Sequence, residues 1–228
     1  MKEIELILRE ASGLKDEGQR IAFISGEFIG APYKRSTLIG GLGIPEELVI
    51  DLSGVDCFTY LDYVEAMRLS GTFPEFKENL RAVRYKGGAV AYESRNHFFT
   101  DWTEYNPSVY DATSEVGGGK AVEVKKSLNL KEDGTYILPG ISPVERTIAY
   151  IPGDAIDKTV IGRLKTGDYA GIYSRKAGLD VSHAGIVIVK DKVYLRHASS
   201  VNGKVADEGL MKYISGKPGL IVLRPVSD

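Results

Sequence analysis

SHAGIVIVKDKVYLRHASS, residues 182–200, holds two short runs of β-branched and aromatic residues joined by a polar link. HAGIVIVK and KVYLRHASS have the length and composition of strands, and KDK at 190–192 is a tight connection between antiparallel neighbours. With the turn near Asp191, residue 183 faces roughly residue 199. His197 then lies diagonal to His183 with the same parity, so both imidazoles project from one face of the sheet. DYAGIYS before this pair and GLIVLRP after it are further strand-like runs, so the chain reads as an antiparallel sheet from about residue 158.

Helices come first. In DCFTYLDYVEAMRLS, residues 56–70, Asp56 is a good N-cap, Phe58, Leu61 and Val64 form one apolar stripe, and Gly71 is the stop. The spacing of Ile4, Ile7 and Leu8 predicts one amphipathic helix over residues 1–20. FISGEFIGAPYKRSTLIGGLG (23–43) is too rich in glycine for regular structure and predicts turns or close backbone approach just ahead of the only cysteine. RAVRYKGGAVAYESRNHFFTDW (81–102) reads as an extended segment running into an aromatic loop. SEVGGGKAVEVKKSLNLKEDGTYILPGISP (114–143) reads as hairpin and loop. Helices followed by antiparallel strands make an α+β domain.

The 228 residues suffice for one large domain or two small ones, and there is no repeat, heptad or low-complexity tract. A net charge of −2 gives no basic surplus for nucleic acid or anionic lipid. The longest apolar runs, such as AGIVIV at 184–189, are too short for membrane insertion. The N-terminus lacks a signal-peptide pattern. That leaves a cytoplasmic protein if the chain starts natively at Met1, or a periplasmic or wall-associated one if a leader was removed.

Cys57 follows the Asp56 cap directly, which puts its sulfur in the first helical turn. Helix dipole and free backbone N–H groups there favour a thiolate, with a pKa lowered from ~8.5 toward roughly 3.5–7.5. A lone cysteine is more commonly a small buried hydrophobe. The two same-face histidines shift that balance, because a thiol nucleophile needs a base (His183) and the base needs an orienting polar partner (His197). Three histidines and one cysteine without H-x-x-x-H or C-x-x-C spacing give no zinc site, and no phosphate, dinucleotide or haem motif occurs, so neither metal nor cofactor is expected.

Taken as a set, GAPYKRS (30–36), VDCFTYLDY (55–63), TGDYAGIY (166–173), SHAGIVIV (182–189) and LRHASS (195–200) resemble the NlpC/P60 branch of papain-like cysteine peptidases. The resemblance implies a papain-like α+β fold, a nucleophile helix packed on an antiparallel sheet. It also implies Cys57 as nucleophile, His183 as base and His197 as third residue, within one catalytic domain spanning 1–228. Two features depart from a compact member: the stretch 37–55 ahead of Cys57, and a middle insertion over 71–157 containing SRNHFFTDW (94–102). These are similar to a subgroup catalogued as DUF1460, which also has a DC helix start like DCFTYLD (56–62) and a C-terminal IVLRP like residues 221–225. That likeness implies an N-acetylmuramoyl-L-alanine amidase acting on peptidoglycan or muropeptides through a thioester. A γ-D-glutamyl endopeptidase, an acyl transferase and a non-catalytic peptidoglycan-binding module remain alternatives.

Within SRNHFFTDW, Trp102 offers a face for a sugar and Arg95 a cation for a carboxylate, with His97 and Asp101 beside them. The alternative is that the aromatics pin a loop to the core while Arg95 and Asp101 form a surface pair. Tyr33 either meets substrate near the nucleophile or packs beneath the glycine loop. Ser182, next to the base, completes the substrate-side set.

Overall fold

A computed structural model describes residues 3–226. Two helices open the chain, α1 (Ile4–Ser12) and α2 (Glu17–Glu27), where the sequence predicts one over 1–20. Gly13 closes α1, and Asp16 starts a new helix by accepting the Gln19 N–H at 2.7 Å. The glycine-rich stretch thus begins inside α2 and continues as a hairpin, β1 (Ile39–Gly41) and β2 (Ile44–Glu47).

Helix α3 (Cys57–Arg68) starts where the sequence places it, with Asp56 and Thr59 forming a reciprocal cap. In place of a single stripe, every residue from 59 to 68 is buried, so α3 is the central helix of the fold. Its charged side chains are paired accordingly: Arg68 with Glu65 and Glu17, and Asp62 with Arg84. The chain then forms α4 (Phe73–Arg84), so RAVR ends a helix where an extended segment is predicted. A Thr72–Glu75 capping box and the spacing of Phe76, Leu80 and Val83 account for this.

Short helices α5 (Asp101–Tyr105), α6 (Thr113–Gly117), α7 (Lys158–Ile161) and α8 (Leu210–Ile214) punctuate the rest. The strands are β3 (Val109–Asp111), β4 (Val122–Leu128), β5 (Val144–Pro152), β6 (Tyr169–Tyr173), β7 (Val181–Val189), β8 (Val193–Ser199), β9 (Lys204–Gly209) and β10 (Gly219–Pro225). They form one antiparallel sheet in the order β4-β5-β10-β6-β7-β8-β9, with β3 also on β10. Side chains alternate between two cores: Tyr169, Ile186, Ile221 and Leu223 join the helices α1–α4. Ala170, Val187, Leu220 and Val222 join α6–α8. Cover on both faces explains why the strands read as continuous apolar runs. Among the described residues no helix is long and apolar enough to cross a membrane.

Candidate active site

Cys57 is the first residue of α3, and the segment delivering it is held on a neighbouring strand-like stretch. The Val55 N–H donates to the Pro32 carbonyl and the Lys34 N–H to the Val55 carbonyl, both at 3.0 Å, which places Tyr33 alongside Val55. Asp56 Oδ1 accepts the N–H groups of Phe58 (2.9 Å) and Thr59 (2.8 Å), and Thr37 Oγ1 donates to Asp56 Oδ2 at 3.3 Å. The Cys57 N–H has no carbonyl partner among the described residues; with the N–H groups of Phe58 and Ala184 it faces the sulfur.

Burial, followed by the Asp56 carboxylate, pushes the half-buried thiol up to about 11. This corrects the sequence expectation of a lowered pKa. The helix N-terminus is present and its N–H groups do pull downward, but desolvation outweighs them, and the residue that caps the helix brings a negative charge to the sulfur.

On the sheet, Ile186 pairs with Arg196 and Val189 with Val193, the register that sets residue 183 opposite 199. His183 Nε2 and His197 Nδ1 lie 2.7 Å apart, with the rings at 83°. Gly185 makes this approach possible: a Cβ there would stand 2.9 Å from the His197 Cβ and 2.8 Å from Leu195 Cδ1. Burial, then His197 and Lys217, push His183 down to about 3. Burial lowers His197 too, against an upward pull from Glu208. Thiol and imidazoles are therefore neutral near pH 7. No hydrogen bond joins the sulfur to an imidazole in this arrangement; its neighbour on β7 is the N–H of Ala184, the residue after His183.

Tyr213 of α8 ties the three residues together. Its ring centroid is 4.9 Å from that of His197 and 5.9 Å from that of His183, and Cys57 is among the groups that, after burial and Glu208, push its hydroxyl up to about 12. A cavity of about 290 Å³ opens beside the histidines, lined also by Ser182, Ser199, Glu208, Tyr213 and Lys217. Tyr213, Glu208 and Lys217 are absent from the sequence-based set. A larger cavity of about 470 Å³ includes Asp16, Asp168 and Arg224; neither cysteine nor histidine is in its lining, and Asp168 and Arg224 already pair at 2.7 Å. No cluster of three or more His, Cys, Asp or Glu side chains able to hold a metal occurs among the described residues.

The SRNHFFTDW segment is placed differently from its substrate-binding expectation. Trp102 is 0% exposed, packed edge-on to Tyr169 with ring centroids 5.1 Å apart, so no sugar reaches its face. Arg95 forms a two-pronged pair with Glu46 of β2 at 3.0 and 2.5 Å. Asp101 is buried, accepts the His97 and Phe98 N–H groups and pairs with Arg146 at 2.7 Å. His97 Nε2 contacts the Tyr92 carbonyl at 2.8 Å. Arg95 and Asp101 form no pair with one another. The segment instead braces the strand that carries His183: Thr100 donates through N–H and Oγ1 to buried Asp180, which immediately precedes β7. Of the six substrate-side candidates, Ser182 lines the histidine cavity, Tyr33 flanks the cysteine loop, and the other four are engaged within the protein.

A family model described as AmiA-like, N-acetylmuramoyl-L-alanine amidase-like, matches residues 23–220. Among solved structures the chain is similar in fold to a Legionella pneumophila protein of family DUF1460, at 23% identity and TM-score 0.84, over 98% of this chain and 93% of that one. It is also similar to an N-acetylmuramoyl-L-alanine amidase from Bacteroides uniformis, at 28% identity and TM-score 0.78, over 92% of this chain and 98% of that one. No curated protein matches.

Proposed function

This chain belongs to the AmiA-like, N-acetylmuramoyl-L-alanine amidase-like family, and from that premise we propose that it is a cysteine-dependent amidase of the papain-like NlpC/P60 group. Its substrate is a muropeptide or peptidoglycan, and the bond cut is the amide between the lactyl group of muramic acid and L-alanine. The observation that carries this reading is the convergence of a helix-capped cysteine on a strand whose histidine is held at 2.7 Å by a second histidine.

In this mechanism the Cys57 sulfur attacks the lactyl carbonyl as its proton passes to neutral His183. The Cys57 N–H, which has no carbonyl partner among the described residues, receives the developing oxyanion. Collapse of the tetrahedral intermediate breaks the C–N bond, and the proton on His183 goes to the departing alanine nitrogen. The lactyl acyl group remains on sulfur as a thioester. Water, deprotonated by His183, then releases a muramic acid carboxylate and the free thiol. His197 keeps the His183 ring in place through both transfers.

The 290 Å³ cavity beside the histidines, with Ser182 at its edge, supplies room for substrate. We assign the insertion 71–157 to bracing that site within one catalytic domain, because its buried Thr100 holds Asp180 at the start of β7. Arg95 has no role toward the lactyl carboxyl, which is consumed in the scissile amide.

Product analysis tests the assignment. Muramoyl-tripeptide should yield free muramic acid and an intact peptide with a new alanine N-terminus, and Cys57→Ala should lower turnover by roughly 10⁴–10⁶. A cut after D-glutamate would establish the endopeptidase instead, and a Cys57→Ala variant of near wild-type rate would remove the nucleophile.

A further inference from the structure

Each neutral imidazole carries one N–H, so the 2.7 Å contact of His183 Nε2 with His197 Nδ1 needs one donor and one acceptor. Two arrangements satisfy it. In the first, His183 donates from Nε2, its Nδ1 is bare, and His197 carries its proton on Nε2. In the second, His197 donates from Nδ1, His183 is protonated on Nδ1, and His197 Nε2 is bare. Only the first leaves His183 a lone pair with which to take the thiol proton. The nitrogen that distinguishes the two, at the far end of the relay, is His197 Nε2.

His197 is 1% exposed, and its Nε2 has no hydrogen-bond partner within ordinary range among the described residues. The group it faces is Glu208 Oε1 of β9, 3.5 Å away. That oxygen is fixed from its other side by the Asn202 side-chain amide, which donates to it at 2.6 Å. A carboxylate can only accept, so it favours a proton on the nitrogen in front of it. Such a partner also stabilises the positive charge that passes through the relay when His183 is protonated.

We propose that Glu208 is a positioning residue that sets the tautomer of His197, and through it the tautomer of His183, so that the base presents a bare Nδ1 to Cys57. The proposal rests on the reading of Cys57 and His183 as nucleophile and base. The residue is half-exposed and lines the histidine cavity, so a direct contact with substrate is the competing role. Lowering of both histidines by burial keeps them in the neutral forms to which the tautomer argument applies.

The test compares wild type, Glu208→Ala and Glu208→Gln by three readouts: steady-state kinetics, the rate of Cys57 alkylation by iodoacetamide at pH 7, and ¹⁵N spectra of the histidines. Glu208→Ala should lower kcat on the order of tenfold or more, the scale of losing an outer partner of a functional histidine. Its KM should stay within about twofold and its alkylation rate should fall in parallel, while His197 loses its Nε2-protonated signature. Glu208→Gln keeps an acceptor oxygen that Asn202 can hold, so it should retain most of the activity and the wild-type tautomer. An unchanged kcat and tautomer in Glu208→Ala would overturn the proposal. A rise in KM with alkylation unaffected would overturn it in favour of substrate contact, and loss of Glu208→Gln activity without a tautomer change would also exclude it. If alkylation of wild type left activity intact, the underlying nucleophile assignment would fail instead, whatever the variants did.

Discussion

Replacing Trp102 by alanine separates a core role from a sugar-binding one. The indole is fully buried, 5.1 Å from the Tyr169 ring and 6.0 Å from Phe58 by centroid, and it is the only tryptophan in the chain. Truncating such a ring costs about 3–5 kcal/mol, transfer and cavity together. Its Nε1–H meets no acceptor among the described residues, so part of the native burial is already unfavourable, which places the expected loss at about 3 kcal/mol. With a urea m-value of about 2–3 kcal/mol/M for a chain of this size, the midpoint should fall by roughly 1–1.5 M. The thermal midpoint should drop by about 6–12 °C. Far-UV circular dichroism is the suitable probe, because the mutation removes the tryptophan signal itself. Trp102→Phe discards the unpaired N–H and keeps most of the ring contacts, so it should be within about 1 kcal/mol of wild type, with unchanged KM. A Trp102→Ala protein of native stability but raised KM would refute the buried placement and restore the sugar platform.

With the thiol pushed up to about 11 and His183 down to about 3, the iodoacetamide inactivation rate should still be climbing at pH 9; a plateau from about pH 5, the mark of a preformed thiolate–imidazolium pair, would contradict this. Because His183 binds its proton less readily folded than unfolded, its contribution to stability should be complete above about pH 6.5 and be lost as the pH falls toward 3, read as a falling urea midpoint. His183→Ala should be almost inactive, while His197→Asn, which can still orient an imidazole, should keep part of the activity in the same kinetic assay; the reverse order would exchange their roles. Arg95→Ala leaves the buried Glu46 carboxylate without its guanidinium, so it should lower the urea midpoint by about 1 M or more with KM unchanged in the folded protein.

The hairpin was readable from the sequence because parity and a three-residue link fix an antiparallel register, and the observed pairing sets 183 opposite 199 as that logic requires. The start of α3 was readable because Asp56 has one evident job. The same reading missed what that carboxylate does to the adjacent sulfur: capping follows from residue order, whereas desolvation depends on everything packed around the thiol. Trp102 and Arg95 were misplaced for a related reason. A dense aromatic and charged segment has the same composition whether it faces a ligand or the core, and only the fold shows Glu46 and Tyr169 waiting for it. The position of Glu208 also has a signal in the sequence. Asn202-Gly203 is a strong hairpin turn, and the β8–β9 register it creates pairs Leu195 with Glu208 and His197 with Ala206. That puts Glu208 diagonal to His197 on the same sheet face, by the argument that linked the two histidines.

Attack of Cys57 on the lactyl carbonyl can be caught by rapid acid quenching of enzyme with muramoyl-tripeptide, followed by intact-protein and peptide mass spectrometry. The expected result is a transient adduct on the Cys57 peptide equal in mass to the muramic acyl group alone, sensitive to hydroxylamine and absent from Cys57→Ser. An adduct that also carried alanine and glutamate would place the cut within the stem peptide, and an adduct on any other residue would contradict the assignment of Cys57.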